Sequence, residues 1–390
     1  MGFLSRHTAR PVLTFIVLIC SAWVHLLHAQ EIIMPERWQK ALTHTRSIFR
    51  QDTLTIRIFG DMMMHSRQIE NARTGKDSFD FSPCFEHIRA CISDADIAVA
   101  NMEFTLAGKP YTGYPCFSAP DDFAFHLADC GFDVFLAANN HIFDKGTGGA
   151  ERTLEIYRRM EDERGIRFTG LAGNEEELER TNPLIITRKG IKIAFINLTY
   201  GTNLGLKTLW PRTFRISSTS EIRKAMSRAE EADADFTIAL PHWGTEYVLQ
   251  HSAGQEKAAI MLAENGADMI IGSHPHVVQD MQTLEIRGAD GREVPVAYSL
   301  GNAISNMSAP DTQLELMATI RIIRESNGDI KVLPLELTYL WCSRPGGYKD
   351  HYTVLPVKDF IGTRASWTGP WEYDKMMDTY ERVRRKTGIE

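Results

Sequence analysis

Cysteine is scarce in this 390-residue chain: six residues, none paired as Cys-x-x-Cys. That scarcity argues against a thiolate zinc knot, which needs closely spaced sulfur ligands. Cys84 and Cys91 fall on one predicted helix about 10 Å apart, beyond disulfide reach. With Cys116, Cys130 and Cys342 they are expected to be buried thiols. A basic excess is also missing. The formal net charge is −7, which excludes the usual basic footprint of a nucleic-acid partner. No low-complexity tract and no repeating block occurs, so a solenoid or propeller is excluded.

What is present is globular. The chain is 43% hydrophobic and 24% charged, enough for one large domain or two ordinary ones. Arg6 and Arg10 precede an apolar run from Pro11 to Leu27, and His28-Ala29-Gln30 offers a processing site. This is the layout of a secretory signal over residues 1–29. Ser21 and His25 make the run a poor membrane span, although an uncleaved anchor is the alternative. Export to the periplasm or cell envelope is the expectation.

Short apolar runs alternate with amphipathic segments, the pattern of an α/β domain. Leu54–Phe59, Ile97–Ala100, Val134–Ala138, Phe236–Leu240, Met269–Ile271 and Val294–Leu300 read as strands. Leu184–Ile186 and Ile191–Asn197 flank a tight turn and read as a hairpin. Leu314–Ile323 and Ile330–Tyr339 read as a terminal antiparallel pair. Helices are predicted from Ser82-Pro83 to Ser93, from Pro120 to Gly131 and from Thr147 to Arg164. A further two run from Ser218, with Glu221 completing a capping box, to Ala232, and from Gly254 to Asn265. Residues 30–52 form an N-terminal linker or helix, 53–340 the main domain, and 341–390 a tail with a peripheral charged helix, Tyr373–Lys386.

Five of the strands run straight into polar residues of ligand type. These are Gly60-Asp61 with His65 behind, Asn101-Met102-Glu103, Asn139-Asn140-His141 with Asp144, His242-Trp243-Gly244 with Glu246, and Gly272-Ser273-His274-Pro275-His276. A Gly-Asp after a strand is ordinarily a turn. Five such exits together are a signal, because ligands bind at the carboxyl ends of strands in open α/β sheets. Five of the thirteen histidines fall in these segments. Imidazole, carboxylate and carboxamide oxygen suit Zn, Mn or Fe, and a cation offsets the cost of crowding acids into one pocket.

In order and spacing these segments, with Tyr298-Ser299-Leu300-Gly301-Asn302, resemble the bacterial capsule synthesis proteins of the CapA type, linked with poly-γ-glutamate capsules. The resemblance covers about Thr53 to Met307. That family in turn is similar to the calcineurin-type metallophosphatases, which implies a four-layer α/β/β/α sandwich with two divalent metals. By that similarity Asp61 and His276 bind one metal, Asn140, His242 and His274 the other, and Glu103 bridges both. His141 acts as general acid or charge stabiliser beside the leaving group. Asp144 and Glu246 orient imidazoles, and His65 and Asn101 are supporting or additional ligands. The sequence departs from the phosphoesterase pattern in three places: His65 lies four residues after Asp61, Glu103 replaces Asp, and no Glu follows the Asn-His pair.

The resemblance implies a metal-dependent, hydrolase-like envelope protein acting in synthesis, release or anchoring of an anionic capsule polymer such as poly-γ-glutamate. Its substrate is the polymer or a phosphoester, and Arg212 and Arg215 are candidates to hold polymer carboxylates. The alternative is a non-enzymatic subunit that binds the polymer or associates with capsule synthase subunits. A nucleotidase is a third reading, with no aromatic base clamp evident in the sequence.

Overall fold

The computed structural model describes residues 53–205, 209–286, 291–325 and 327–390. The apolar leader and the linker 30–52 lie outside them.

The first sheet holds β1 (Thr53–Met62), β2 (Ile97–Met102), β3 (Val134–Leu136), β4 (Arg167–Thr169), β13 (Leu314–Arg324), β14 (Ile330–Val332), β15 (Glu336–Ser343) and β16 (Thr353–Pro356). Their order is β16-β15-β13-β1-β2-β3-β4, with β14 also on β13. The second sheet runs β11-β12-β10-β9-β7-β6. Its members are β6 (Leu184–Arg188), β7 (Ile191–Thr199), β9 (Phe236–His242), β10 (Met269–Ile271), β11 (Met281–Ile286) and β12 (Arg292–Ala297). A small pair, β5 (Leu171–Ala172) with β8 (Arg212–Thr213), stands beside them. Strands β1 to β4 are mutually parallel, as are β7, β9, β10 and β12.

Side-chain alternation turns the two sheets toward each other. Leu54, Ile56 and Ile58 of β1 meet Ile193 and Phe195 of β7 and Ile238 of β9 in one buried core. The opposite face of the first sheet is covered by α1 (Ser66–Ala72), α2 (Arg89–Ser93), α3 (Asp121–Cys130) and α4 (Gly146–Arg164), which share a core with Phe59, Ala100 and Phe135. The far face of the second sheet is covered by α6 (Thr219–Glu231) and α7 (Ala253–Glu264), through Ile222, Ala225, Leu262 and Ala263. The short α5 (Glu175–Thr181) joins that side through Leu178. The result is the expected four-layer α/β/β/α sandwich. Strands buried on both faces read as continuous apolar runs, which is why β9 and β10 were legible.

Several local expectations give way to tertiary packing. The helix drawn from Pro83 to Ser93 is a 3-10 turn, Ser82–Cys84, followed by the separate α2. Phe81, Cys84, Phe85 and Ile88 all enter one core there. Ser218 makes no side-chain cap, and Glu221 pairs instead with Arg212 at 3.2 Å. A capping box does exist at Ser252 with Gln255, starting α7. The strand drawn through Ile330–Tyr339 breaks at Pro334, whose missing N–H cannot serve the ladder, so β14 and β15 pair separately with β13. The exposed edge strand β11 carried little apolar signal.

The largest correction is at the C-terminus. The boundary expected at residue 340 falls inside β15, and β16 extends the sheet beyond it. The last helices are α8 (Val357–Phe360) and α9 (Pro370–Thr387). Met376 and Val383 of α9 are fully buried with Tyr339, Trp341 and Leu355. This helix therefore packs on β15 and β16 on the same face of the first sheet that the second sheet covers, adding to the core between them, rather than lying at the periphery. Among the described residues no helix is long and apolar enough to cross a membrane.

Candidate metal centre

Each site residue stands where a parallel strand ends. In β1 the register with β2 shifts between Phe59 and Asp61, a bulge that re-aims the following side chain. Gly60 is obligatory there, since a Cβ would sit 2.0 Å from the Gly301 carbonyl oxygen. Its N–H donates to Glu315 Oε1 at 2.8 Å, and Asp61 N–H donates to Gly301 O at 2.9 Å. Glu103 follows β2, Asn140 and His141 follow β3, His242 closes β9, and His274 and His276 follow β10. Asp61, Glu103, Asn140 and His141 come from one sheet, and His242, His274 and His276 from the other.

Asp61, Glu103, Asn140, His141, His242, His274 and His276 are all buried. Three sets of ligand atoms lie within 4.8 Å of one another: Asp61, Glu103 and His276; Glu103, His242 and His274; and Glu246, His274 and His276. Glu103 belongs to two of the three. Its Oε1 is 3.5 Å from His242 Nε2 and 3.9 Å from His141 Nε2, and its Oε2 is 3.8 Å from His276 Nδ1.

The hydrogen bonding leaves a specific gap. Neither oxygen of Glu103 nor His274 Nδ1 has a hydrogen-bond partner among the described residues, although all three atoms are buried. A buried carboxylate in that state costs several kcal/mol. Burial, reinforced by repulsion from Asp61, drives the Glu103 carboxyl well above the usual range. Burial, with the neighbouring His276, pushes His274 down to about 3. For Asp61 burial acts upward, but His276, His242 and Asn101 together bring it down to about 2. Acids and imidazoles converging around a buried Glu103 carboxyl that has no hydrogen-bond partner are a donor set that fits divalent cations.

The remaining contacts hold these groups in place. Asn101 Nδ2 donates to Asp61 Oδ1 at 2.6 Å. His242 Nε2 is 2.8 Å from Asn140 Oδ1, and its Nδ1 is 3.1 Å from Ser273 Oγ. His276 Nδ1 is 2.9 Å from Asn302 Oδ1. His141 Nδ1 is 2.7 Å from Asp144 Oδ2. His274 and His276 hold φ of 99° and 59°, left-handed backbone that costs about 1–3 kcal/mol each in a residue bearing a Cβ. The His274 N–H is used to bind Asp61 Oδ2 at 3.1 Å.

Two expected residues are placed differently from the core set. His65 caps α1, with Nδ1 3.1 Å from Gln68 Oε1 and accepting the Asn306 N–H at 3.3 Å. It lies outside the three ligand sets, and burial lowers it to about 4. Glu246 is exposed at the mouth, within ligand distance of His274 and His276 rather than behind an imidazole. Arg212 is already paired with Glu221 and stacked on Trp210 at 4.9 Å, whereas Arg215 is exposed. Ser273, Asn302 and Asn203, whose Oδ1 accepts from Asn140 Nδ2 at 3.3 Å, were missed as supports. Asn302 lay inside a quoted motif, but its partner His276 is set by tertiary structure alone. The five cysteines among the described residues are free: Cys84, Cys130 and Cys342 are buried, Cys91 and Cys116 partly so.

The model of the bacterial capsule synthesis protein PGA_cap matches residues 55–307. This chain belongs to that family. It is 24% identical over 334 residues to the capsule biosynthesis protein CapA of Bacillus anthracis, covering 83% of this chain and 74% of that one. It is also 24% identical over 312 residues to the PGA biosynthesis protein CapA of Bacillus subtilis strain 168, covering 76% and 75%. Among solved structures, it is similar to the NAD nucleotidase NadN of Haemophilus influenzae, with a TM-score of 0.45 and 15% identity. That match covers 85% of this chain but only 62% of the nucleotidase. The calcineurin-like phosphoesterase YfkN of Bacillus subtilis gives a TM-score of 0.42 and 14% identity, covering 86% and 98%.

Proposed function

We propose that this chain is an exported, metal-dependent hydrolase of the cell envelope that cleaves an anionic capsule polymer of the poly-γ-glutamate kind during its synthesis, release or anchoring. The observation that carries the metal part is Glu103: a buried carboxylate without a hydrogen-bond partner, shared between two sets of ligand atoms. Asp61, Glu103 and His276 would hold one cation, and Glu103, His242 and His274 would hold a second, with Asn140 beside His242. Glu246 at the mouth adds a third carboxylate within reach of His274 and His276. Divalent cations so held polarise a phosphoryl or amide oxygen and make water acidic near neutral pH.

The chain's own residues supply the rest. Asp144 holds His141 by Nδ1, so Nε2 faces Glu103 and the pocket. A proton on Nε2 is placed to pass to the departing nitrogen or oxygen. Asn101 and the His274 N–H fix the two oxygens of Asp61, and Asn302 fixes His276. Family membership and the relatives' names support the polymer substrate.

The test is metal content together with turnover. Parent, His274→Ala and His141→Ala proteins are assayed for bound metal, for cleavage of a γ-glutamyl oligomer and for cleavage of a generic phosphodiester. Hydrolysis of the oligomer by the parent, lost in both variants while His141→Ala keeps its metal, is the expected result. Metal bound by the parent without turnover of either compound would overturn the hydrolase reading and leave polymer holding.

A further inference from the structure

Three tyrosines stand exposed around the histidine cluster, at 72% for Tyr114 and 44% each for Tyr200 and Tyr247. Large aromatic side chains so exposed around a buried polar pocket are the usual material of a recognition surface. Each is tied to a different part of the centre. The Tyr200 ring lies 4.6 Å from His274, and its N–H donates to the His242 carbonyl at 2.9 Å. The Tyr247 ring lies 6.2 Å from His276, and its N–H donates to the Pro275 carbonyl at 2.8 Å. Tyr114 lies 6.5 Å from Phe117, whose ring packs edge-on against His141 at 4.7 Å.

Tyr247 also adopts φ of 65°, a left-handed backbone that glycine or asparagine takes at lower cost. A strained, exposed aromatic finds no explanation in core packing, because nearly half its surface faces solvent. Strain of this kind clusters where it aims a group at a ligand. Glu246 beside it is exposed and within ligand distance of His274 and His276, and among the described residues the three tyrosines give the rim stacking faces and phenol hydroxyls. It suits a ligand gripped by its amide planes and methylenes. Tyr200 and Tyr247 face different histidines and Tyr114 reaches the centre only through Phe117, a spread that fits an extended chain crossing the centre better than a single flat base.

We infer that Tyr114, Tyr200 and Tyr247 form an aromatic collar that binds the amide-and-methylene backbone of a γ-linked glutamate chain as it crosses the metal centre. This rests on the polymer reading above and adds the residues that grip the chain on either side of the cleaved bond. Phenol hydroxyls donate to the chain's carboxylates, while the aryl faces stack on its amides.

Binding of a γ-linked glutamate decamer to the metal-loaded protein, measured by calorimetry, tests it. The decamer is compared with an α-linked glutamate decamer and with adenosine monophosphate. Tyr200→Ala and Tyr247→Ala should each weaken γ-decamer binding about three- to tenfold, and the double variant by more. The Tyr→Phe pair keeps the stacking and should stay within about threefold of the parent. Metal content and melting temperature should be unchanged in all of them, since none of the tyrosines is a ligand. Parent binding with alanine variants binding equally well overturns the collar alone. A parent that does not bind the decamer overturns both the polymer reading and the collar. Adenosine monophosphate bound by the parent and lost in the alanine variants, without decamer binding, overturns the substrate class.

Discussion

Asp144 Oδ2 lies 2.7 Å from His141 Nδ1 and accepts the backbone N–H of Phe117 at 2.8 Å. One carboxylate oxygen thus fixes both the imidazole and the loop whose aromatic ring packs against it. Asp144→Asn should keep the fold and the metal but lower kcat about 10- to 100-fold, the usual cost of losing an orienting partner. His141→Ala should lower it about 10²- to 10⁴-fold. Steady-state kinetics on a γ-glutamyl oligomer checks both; an unchanged kcat in His141→Ala removes it from the proton path.

Removing metal should be felt in stability. A ligand at hundredfold excess over its dissociation constant adds about 2.7 kcal/mol, so chelation should lower the melting temperature and divalent metal should restore it. Glu103→Gln keeps the shape but not the charge. It should bind less than half the parent's metal and respond less to chelator, measured by elemental analysis beside calorimetry. Full metal content in Glu103→Gln would refute its shared role.

Gly60→Ala forces a Cβ to within 2.0 Å of the Gly301 carbonyl oxygen. Backbone must move, at a cost of about 3 kcal/mol by comparison with overpacked cores, and the shift falls on Asp61. Urea unfolding should show the loss, and metal binding should weaken with it. A stable variant with normal metal binding would mean that the strand end adapts.

Glu177 gives a pH dependence away from the metal centre. Burial acts to raise its pKa, but the bidentate Arg158 guanidinium (2.9 and 2.7 Å) and the Gly173 N–H (2.6 Å) outweigh it and hold the carboxyl below its usual range. A carboxyl depressed in the folded state contributes stability that is full above its unfolded pKa, about 4.3, and is lost as pH falls through the folded value. Glu177→Gln should therefore be less stable than the parent by about 1–2 kcal/mol at pH 7 and should close that gap below pH 4. Parallel melting curves for the two proteins from pH 7 to pH 3 would contradict this.

Much of the centre was legible because its chemistry sits at strand ends. An apolar run predicts a strand, and the histidines and acids that follow can only be at its exit. That logic placed Asp61, Glu103, Asn140, His141, His242, His274 and His276, and the structure brings them together. It did not place Ser273, Asn203 or Glu315, whose partners lie on other segments and are fixed only when the sheets pack. His65 lies outside the three ligand sets for a local reason: with Gln68 three residues on, it starts a helix. Pro334 did carry the signal of a broken strand. The closing helix α9 was misjudged because its polar surface dominates its composition, while Met376 and Val383 mark the stripe that docks.

The ligand atoms are divided between the two sheets, with Asp61 and Glu103 on one and three imidazoles on the other. Cations held there, as proposed, would act as a rivet across the seam of the sandwich. A fragment ending before His242 keeps half a coordination sphere and no centre, and a hinge of one sheet on the other by about 1 Å would tune or abolish activity without touching any reacting group.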